Sequence, residues 1–139
     1  LGGLIGILND LREKKFDIAI LQISANDIVH FTPFKEIENN LQRVLRLTRE
    51  IANKIIILHS GDVGEAPIFL WPLNWIYTQR TLKMRDVYRV ASRNAGITYL
   101  DIYTLNKKIK NRQPKFAKDN FHLNDHGYNM WYTYIKGRL

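Results

Sequence analysis

The sequence predicts an α/β fold in which a parallel β-sheet carries helices on both faces. Three observations predict it. Segments whose apolar residues recur at helical spacing alternate with short runs that are almost wholly apolar and β-branched. Those runs are too short for helices and too continuously apolar for a sheet with one wet face, which makes them strands buried on both sides. Alternation of this kind closes into a parallel sheet through right-handed helical crossovers. No internal repeat, low-complexity tract or linker interrupts it, so residues 1–139 read as one domain.

Residues 1–15 open the order as a helix, with Leu4, Ile7, Leu8 and Leu11 on one side and Asn9, Asp10, Arg12 and Glu13 on the other. Residues 18–23 form the first strand. Ser24, Ala25, Asn26 and Asp27 stand at its carboxyl end, where open α/β sheets bind ligands. Thr32 caps and Pro33 begins a helix to about Ala52, whose inward stripe is Ile37, Leu41, Val44, Leu45, Thr48 and Ile51. Residues 54–59 are the second strand. The turn-rich loop after it contains Asp62 and Glu65, read as solvated or capping carboxylates. Residues 66–77 carry Phe69, Trp71, Trp75 and two prolines, which forbid a regular helix through the first half. Aromatics of this kind suit the wall of an acyl pocket or a membrane boundary, and equally a plug in the domain core. Residues 78–94 are a third helix with Leu82, Val87, Val90 and Ala91 inward, stopped at Gly96. Residues 97–101 are the third strand, and 102–117 a polar, basic stretch of short helix and loop. Asp125 caps a last helix over about 126–138, with Tyr128, Trp131, Tyr132 and Ile135 inward.

Composition narrows the chemistry. The hydrophobic fraction of 45% and aromatic fraction of 12% suffice for a packed core. The absence of cysteine excludes disulfides and thiolate metal sites. No apolar run approaches the ~20 residues that span a bilayer. The net charge of +8 suits a polyanion or an anionic membrane surface. The cations, among them Lys14, Arg43, Lys107, Lys108, Lys110, Arg112 and Lys118, are dispersed and not interleaved with aromatics as on a single-strand stacking platform. They read as a solvated basic face, and no nucleic-acid partner is expected.

One stretch concentrates acid–base chemistry. Asp119 and His122 are three residues apart, about one turn of chain, so the carboxylate can reach back to the Nδ1–H of the imidazole. An Asp that fixes a His tautomer and balances its imidazolium is two-thirds of a nucleophile-activating triad. A surface Asp beside a loop His has the same spacing. His30, His59 and His126 have no partner at metal-ligand spacing, so no metal site is expected. His59, at a strand end on the ligand face, is a candidate substrate contact alongside Phe69 and Trp71.

Asn26-Asp27 after a buried strand, and Asp119-x-x-His122 before the last helix, together resemble two blocks of the SGNH hydrolases, also called the GDSL esterase/lipase family. The resemblance implies a flavodoxin-like three-layer α/β/α sandwich with five parallel strands, and esterase, lipase, thioesterase or carbohydrate deacetylase activity without a cofactor. It implies that Asp119 and His122 are triad acid and base and that the Asn26 amide donates to the oxyanion. It also implies that Asp27 supports that loop, and that Gly127 and Tyr128 belong to the tail of the last block. Two positions depart from the pattern: Ser24 stands where glycine is usual, a mild change if φ there is negative, and Leu123 where proline is usual.

No Gly-Asp-Ser motif is present, and Ser24, Ser60 and Ser92 are the only serines. The resemblance therefore implies that the nucleophile block, the first strand and a glycine block lie upstream of Leu1. The expected activity is serine ester hydrolysis of a small ester or lipid-like substrate through an acyl-enzyme, with residues 1–139 alone inactive. A non-catalytic binding domain and a basic nucleic-acid binder are the rival classes. Ser24, two residues from Asn26, is not expected to be the nucleophile. Neither compartment nor acyl specificity is legible.

Overall fold

A computed structural model of the chain describes residues 1–108 and 114–138; Lys110 and Arg112 of the basic stretch lie outside the described residues, as does the side chain of Lys108. The elements are α1 (Gly2–Asp10), β1 (Phe16–Ile23), α2 (Ala25–Val29), α3 (Phe34–Ile51) and β2 (Ala52–His59). A 3₁₀ turn (Val63–Glu65) then leads to α4 (Leu73–Ala95), β3 (Thr98–Asp101), α5 (Ile102–Lys108) and α6 (Asp125–Lys136). The three strands are parallel in the order β1-β2-β3, with Leu21 opposite Ile57 and Ile57 opposite Tyr99.

Strand alternation sends side chains to two layers. Leu21, Ile23, Ile55 and Ile57 meet Ile5 and Leu8 of α1, the apolar stripe of α3, and Met84 and Tyr88 of α4. Ile56, Leu58 and Leu100 face the other way, onto Ile102 of α5 and Trp131 of α6. Helices therefore flank both faces of the sheet, as the alternation required. β2 lies between the two layers and is the strand buried on both faces. β1 departs from that expectation: Phe16, Ile18 and Ile20 are 39%, 44% and 45% exposed. The α5–α6 layer packs on β2 and β3, so nothing among the described residues covers that side of β1.

Several boundaries and stripes differ from the sequence expectation for identifiable reasons. Pro72 immediately precedes α4, so the helix begins at Leu73 instead of Thr78. The buried stripe of α4 is Tyr77, Thr81, Met84, Tyr88 and Ser92, whereas Val90 is exposed and Leu82, Val87 and Ala91 are half-buried. Thr81 can turn inward because its hydroxyl donates to the Tyr77 carbonyl at 2.8 Å, as Thr48 does to Val44 in α3. In α6 only Trp131 of the four expected side chains is buried, while Tyr128 and Tyr132 are exposed and Ile135 is half-buried. In α1 it is Ile5 that points inward and Ile7 that is exposed. The segment after β1 is not a loop: it winds at once into α2, with Asn26 and Asp27 in its first turn.

Candidate active site

The Asp119–His122 stretch is a hairpin-like loop between Lys115 and Asn124. The Ala117 N–H donates to the His122 carbonyl at 2.8 Å, the Asn124 N–H to the Lys115 carbonyl at 2.9 Å, and the Asn120 N–H to the Ala117 carbonyl at 3.0 Å. Asn120 turns the chain at φ 58°, a left-handed position that asparagine tolerates well. Asn124, not Asp125, caps α6: its side-chain oxygen accepts from Gly127 N–H at 2.9 Å. Its amide donates to the Pro114 and Phe116 carbonyls. One side chain thus fixes both the loop and the helix start.

Within this loop Asp119 is fully engaged. Oδ1 accepts from the backbone N–H groups of Phe121 and His122, each at 3.0 Å, and Oδ2 lies 2.6 Å from His122 Nδ1. The bond to His122 and the two backbone donors hold the Asp119 carboxyl down to about 2. The carboxylate is therefore an acceptor at neutral pH, which puts the imidazole proton on Nδ1 and leaves the lone pair on Nε2. The Phe121 ring meets the imidazole edge-on, with centroids 5.1 Å apart. The pair is solvent-accessible.

His122 lines a cleft of about 130 Å³ whose walls come from the carboxyl ends of β1 and β2, the following loops and α6. Gln22, Ala25, Ser60, Gly61, Asn106, Phe121, Tyr128 and Trp131 are among its lining. Two carboxylates brace its rim. Asp62 caps the 3₁₀ turn, accepting from Gly64 N–H and the Thr78 hydroxyl, so it is buried and capping, not solvated. Glu65 takes Lys107 at 2.8 Å and Lys115 at 2.6 Å. Its carboxyl is lowered because those two ammonium partners outweigh the opposing cost of burial.

Asn26 sits in the first turn of α2 with its side chain exposed; it is its neighbour Ala25 that lines the cleft. Asp27 is buried, with Oδ2 2.8 Å from the Leu1 backbone nitrogen and Oδ1 accepting from the Thr32 hydroxyl at 3.2 Å. It therefore ties together α1, α2 and the turn that follows. Ser24 is buried at φ 113°, so the condition under which serine is a mild replacement for glycine is not met. Its hydroxyl lies 2.5 Å from that of Ser60 and accepts from Ser60 N–H at 3.3 Å, joining the ends of β1 and β2.

His59 is not available to a substrate. It is fully buried beneath the site, its ring against Tyr88 and Tyr99. Burial pushes it down to about 4, against the opposing pull of Asp101, so the ring is neutral. Phe69 is half-buried between Tyr77 and Phe121, and reaches His122 only through Phe121. Trp71 projects into solvent and does not line the cleft. No sequence pattern joins Glu65 to Lys107 and Lys115, which lie 42 and 50 residues away and are brought to it only by the fold. Among the described residues, no group of three His, Asp or Glu side chains could hold a metal ion.

The family model of the GDSL-like lipases and acylhydrolases matches residues 2–130. No curated protein sequence matches the chain. Among solved structures, a member of the lipolytic protein G-D-S-L family from Veillonella parvula superposes with a TM-score of 0.71 at 17% identity, over 96% of this chain and 70% of that one. A catalytic mutant of an acetylxylan esterase from Geobacillus stearothermophilus gives 0.61 at 15% identity, over 92% and 65%. A family 3 carbohydrate esterase from Clostridium thermocellum gives 0.61 at 18%, over 94% and 61%. At such identities the structural likeness speaks for the fold.

Proposed function

The chain belongs to the GDSL-like lipase/acylhydrolase family, and from that premise we propose that Asp119 and His122 are the charge-handling half of a serine ester hydrolase site. The observation that carries this reading is the 2.6 Å bond from His122 Nδ1 to a carboxylate that two backbone N–H groups already hold, at a cleft on the carboxyl edge of the sheet. Nε2 takes the proton of the serine hydroxyl as its oxygen bonds to the ester carbon. The same proton then goes to the departing alcohol, and a water repeats the cycle to free the acid. Asp119 stabilises the imidazolium in both halves. The Asn26 amide, in the first turn of α2, is the proposed side-chain donor to the oxyanion.

The nucleophile is not one of this chain's serines. Ser24 and Ser60 are buried and bonded to each other, and Ser92 is buried within α4. A serine carried by sequence outside residues 1–139 completes the reading. The cleft is small beside the ~300–1,000 Å³ of sites for drug-sized ligands, which favours a short acyl group. Acetyl esters are the substrates that the name of the acetylxylan esterase specifies.

In the product of the complete reading frame, His122→Ala is expected to lower kcat for p-nitrophenyl acetate by ~10³-fold or more, and Asp119→Asn by ~10²–10⁴-fold. Residues 1–139 alone are expected to show no turnover that depends on His122. Equal activity of wild type and His122→Ala in the complete product sinks the proposal. A non-catalytic binding role is the second reading, favoured by the burial of all three serines. It is distinguished by a complete product that no fluorophosphonate probe labels.

A further inference from the structure

Residues 68–75 carry the three most exposed large apolar side chains among the described residues. Ile68 is 55% exposed, Leu70 76%, Trp71 82% and Trp75 61%. An apolar patch of this kind on a soluble fold marks an interaction site. It is not an isolated flap. Ile68 N–H donates to the Asn120 carbonyl at 3.2 Å, inside the loop that holds Asp119 and His122. Phe69 packs on Tyr77 and, edge-on, on Phe121. On one flank Arg80 lies over the rings of Phe31 and Phe34 at 4.8 and 4.9 Å, and Lys83 over Phe34 at 4.2 Å. On the other, exposed Lys118 stands in the same loop as Asn120.

We propose that this surface docks the protein on an anionic lipid bilayer, with the aliphatic and indole side chains entering the headgroup boundary and the exposed Lys83 and Lys118 facing the lipid phosphates. The chemistry favours lipid over the other occupants. Exposed tryptophan beside exposed leucine and isoleucine matches an interfacial boundary, where indoles sit at headgroup depth. A sugar platform needs flat aromatic faces flanked by hydrogen-bonding groups, and aliphatic residues do not supply them. The flanking cations and the net charge of +8 match an acidic leaflet. No described helix is long and apolar enough to cross a membrane, and the attachment proposed for this surface is peripheral. Adsorption through residues 68–75 brings the His122 cleft next to the membrane plane, because the two share a loop contact.

The test reads binding, not catalysis, and so is independent of the reaction proposed above. Residues 1–139 are mixed with vesicles of phosphatidylcholine alone and of equal parts phosphatidylcholine and phosphatidylglycerol, and followed by sedimentation and tryptophan emission. Sedimentation with the mixed vesicles and a blue shift are expected. Leu70→Ser with Trp71→Ser should weaken binding by about tenfold or more, because interfacial affinity scales with buried apolar area. Lys83→Gln and Lys118→Gln should each weaken it about fivefold. Both residues of the first pair are mostly solvent-exposed, so unchanged far-UV circular dichroism is expected. Vesicle binding that ignores the Leu70/Trp71 change, or no binding to either vesicle, overturns the proposal. So does an emission shift that follows protein concentration without vesicles, which assigns the surface to a second copy, or one produced by acetylated xylan alone.

Discussion

At Ser24 the backbone occupies φ 113°, ψ −45°, a region that side chains with a Cβ rarely adopt, yet the residue is a serine. Strain of this type costs ~1–3 kcal/mol and persists where surrounding contacts hold it. Here the holding contact is the Ser60 hydroxyl and N–H. Two substitutions separate the effects. Ser24→Ala keeps the strain and removes the bond, and is expected to destabilise by ~1–2 kcal/mol. Ser24→Gly removes both, and is expected to exceed the alanine variant by ~1 kcal/mol in urea unfolding. An alanine variant as stable as the glycine variant refutes the strain account. The same residue-scale reading separates the two histidines near the sheet edge. His122 is exposed and held by a carboxylate, whereas His59 has no hydrogen-bond partner among the described residues and is clamped by two tyrosines.

Among the elements, the junction between the 3₁₀ turn and α4 depends on a missing side chain. A Cβ at Gly64 would collide with the Asn74 carbonyl oxygen and the Thr78 hydroxyl, and would lie 2.8 Å from the Thr78 nitrogen. Those atoms belong to the first turns of α4, which cannot retreat without breaking the Asp62 bonds to Thr78 and Gly64. Gly64→Ala is therefore expected to cost ~2–3 kcal/mol, read as a lower urea midpoint. An alanine variant with the wild-type midpoint contradicts this packing. Gly127 plays a similar part at the start of α6, where a Cβ would come within 2.6 Å of the Lys115 carbonyl oxygen. Both glycines let a helix start approach a loop that lines the cleft.

Across the whole molecule, stability should fall in mild acid because of one buried group. Burial pushes His59 to about 4 in the native state, against about 6.5 when unfolded. Between those values the unfolded chain takes up a proton that the native ring refuses. Stability contributed by neutral His59 is therefore complete above pH 6.5 and is lost as pH falls towards 4, by roughly 3 kcal/mol. The lowered carboxyls of Asp101 and Glu65 begin to lose their stabilisation only near the acid end of that window, as pH falls through their unfolded values of about 3.9 and 4.3. Urea unfolding at a series of pH values should show the decline between 6.5 and 4, and His59→Leu should flatten it. An unchanged slope in that variant removes His59 as the cause. The exposed face of β1, with Ile18 and Ile20 uncovered, is a further whole-molecule property, since an apolar edge strand favours association.

The sequence by itself determined the layer order and the parallel sheet, because β-branched runs such as 54–59 are too short and too continuously apolar for anything but doubly buried strands, while the α3 stripe recurs at helical spacing. It also put the Asp119–His122 contact within reach, since a three-residue spacing lets one turn of chain close that bond locally. Only the tertiary structure decided which face of α4 is buried, because Thr81 conceals its hydroxyl in its own helix and so defeats an apolar count. Only the fold could exclude His59 from the cleft, because strand parity turns it towards Tyr88 and Tyr99. The links between Ser24 and Ser60, and between Glu65 and Lys115, were likewise invisible: they cross 36 and 50 residues of chain, and no local pattern records a contact that crossovers create.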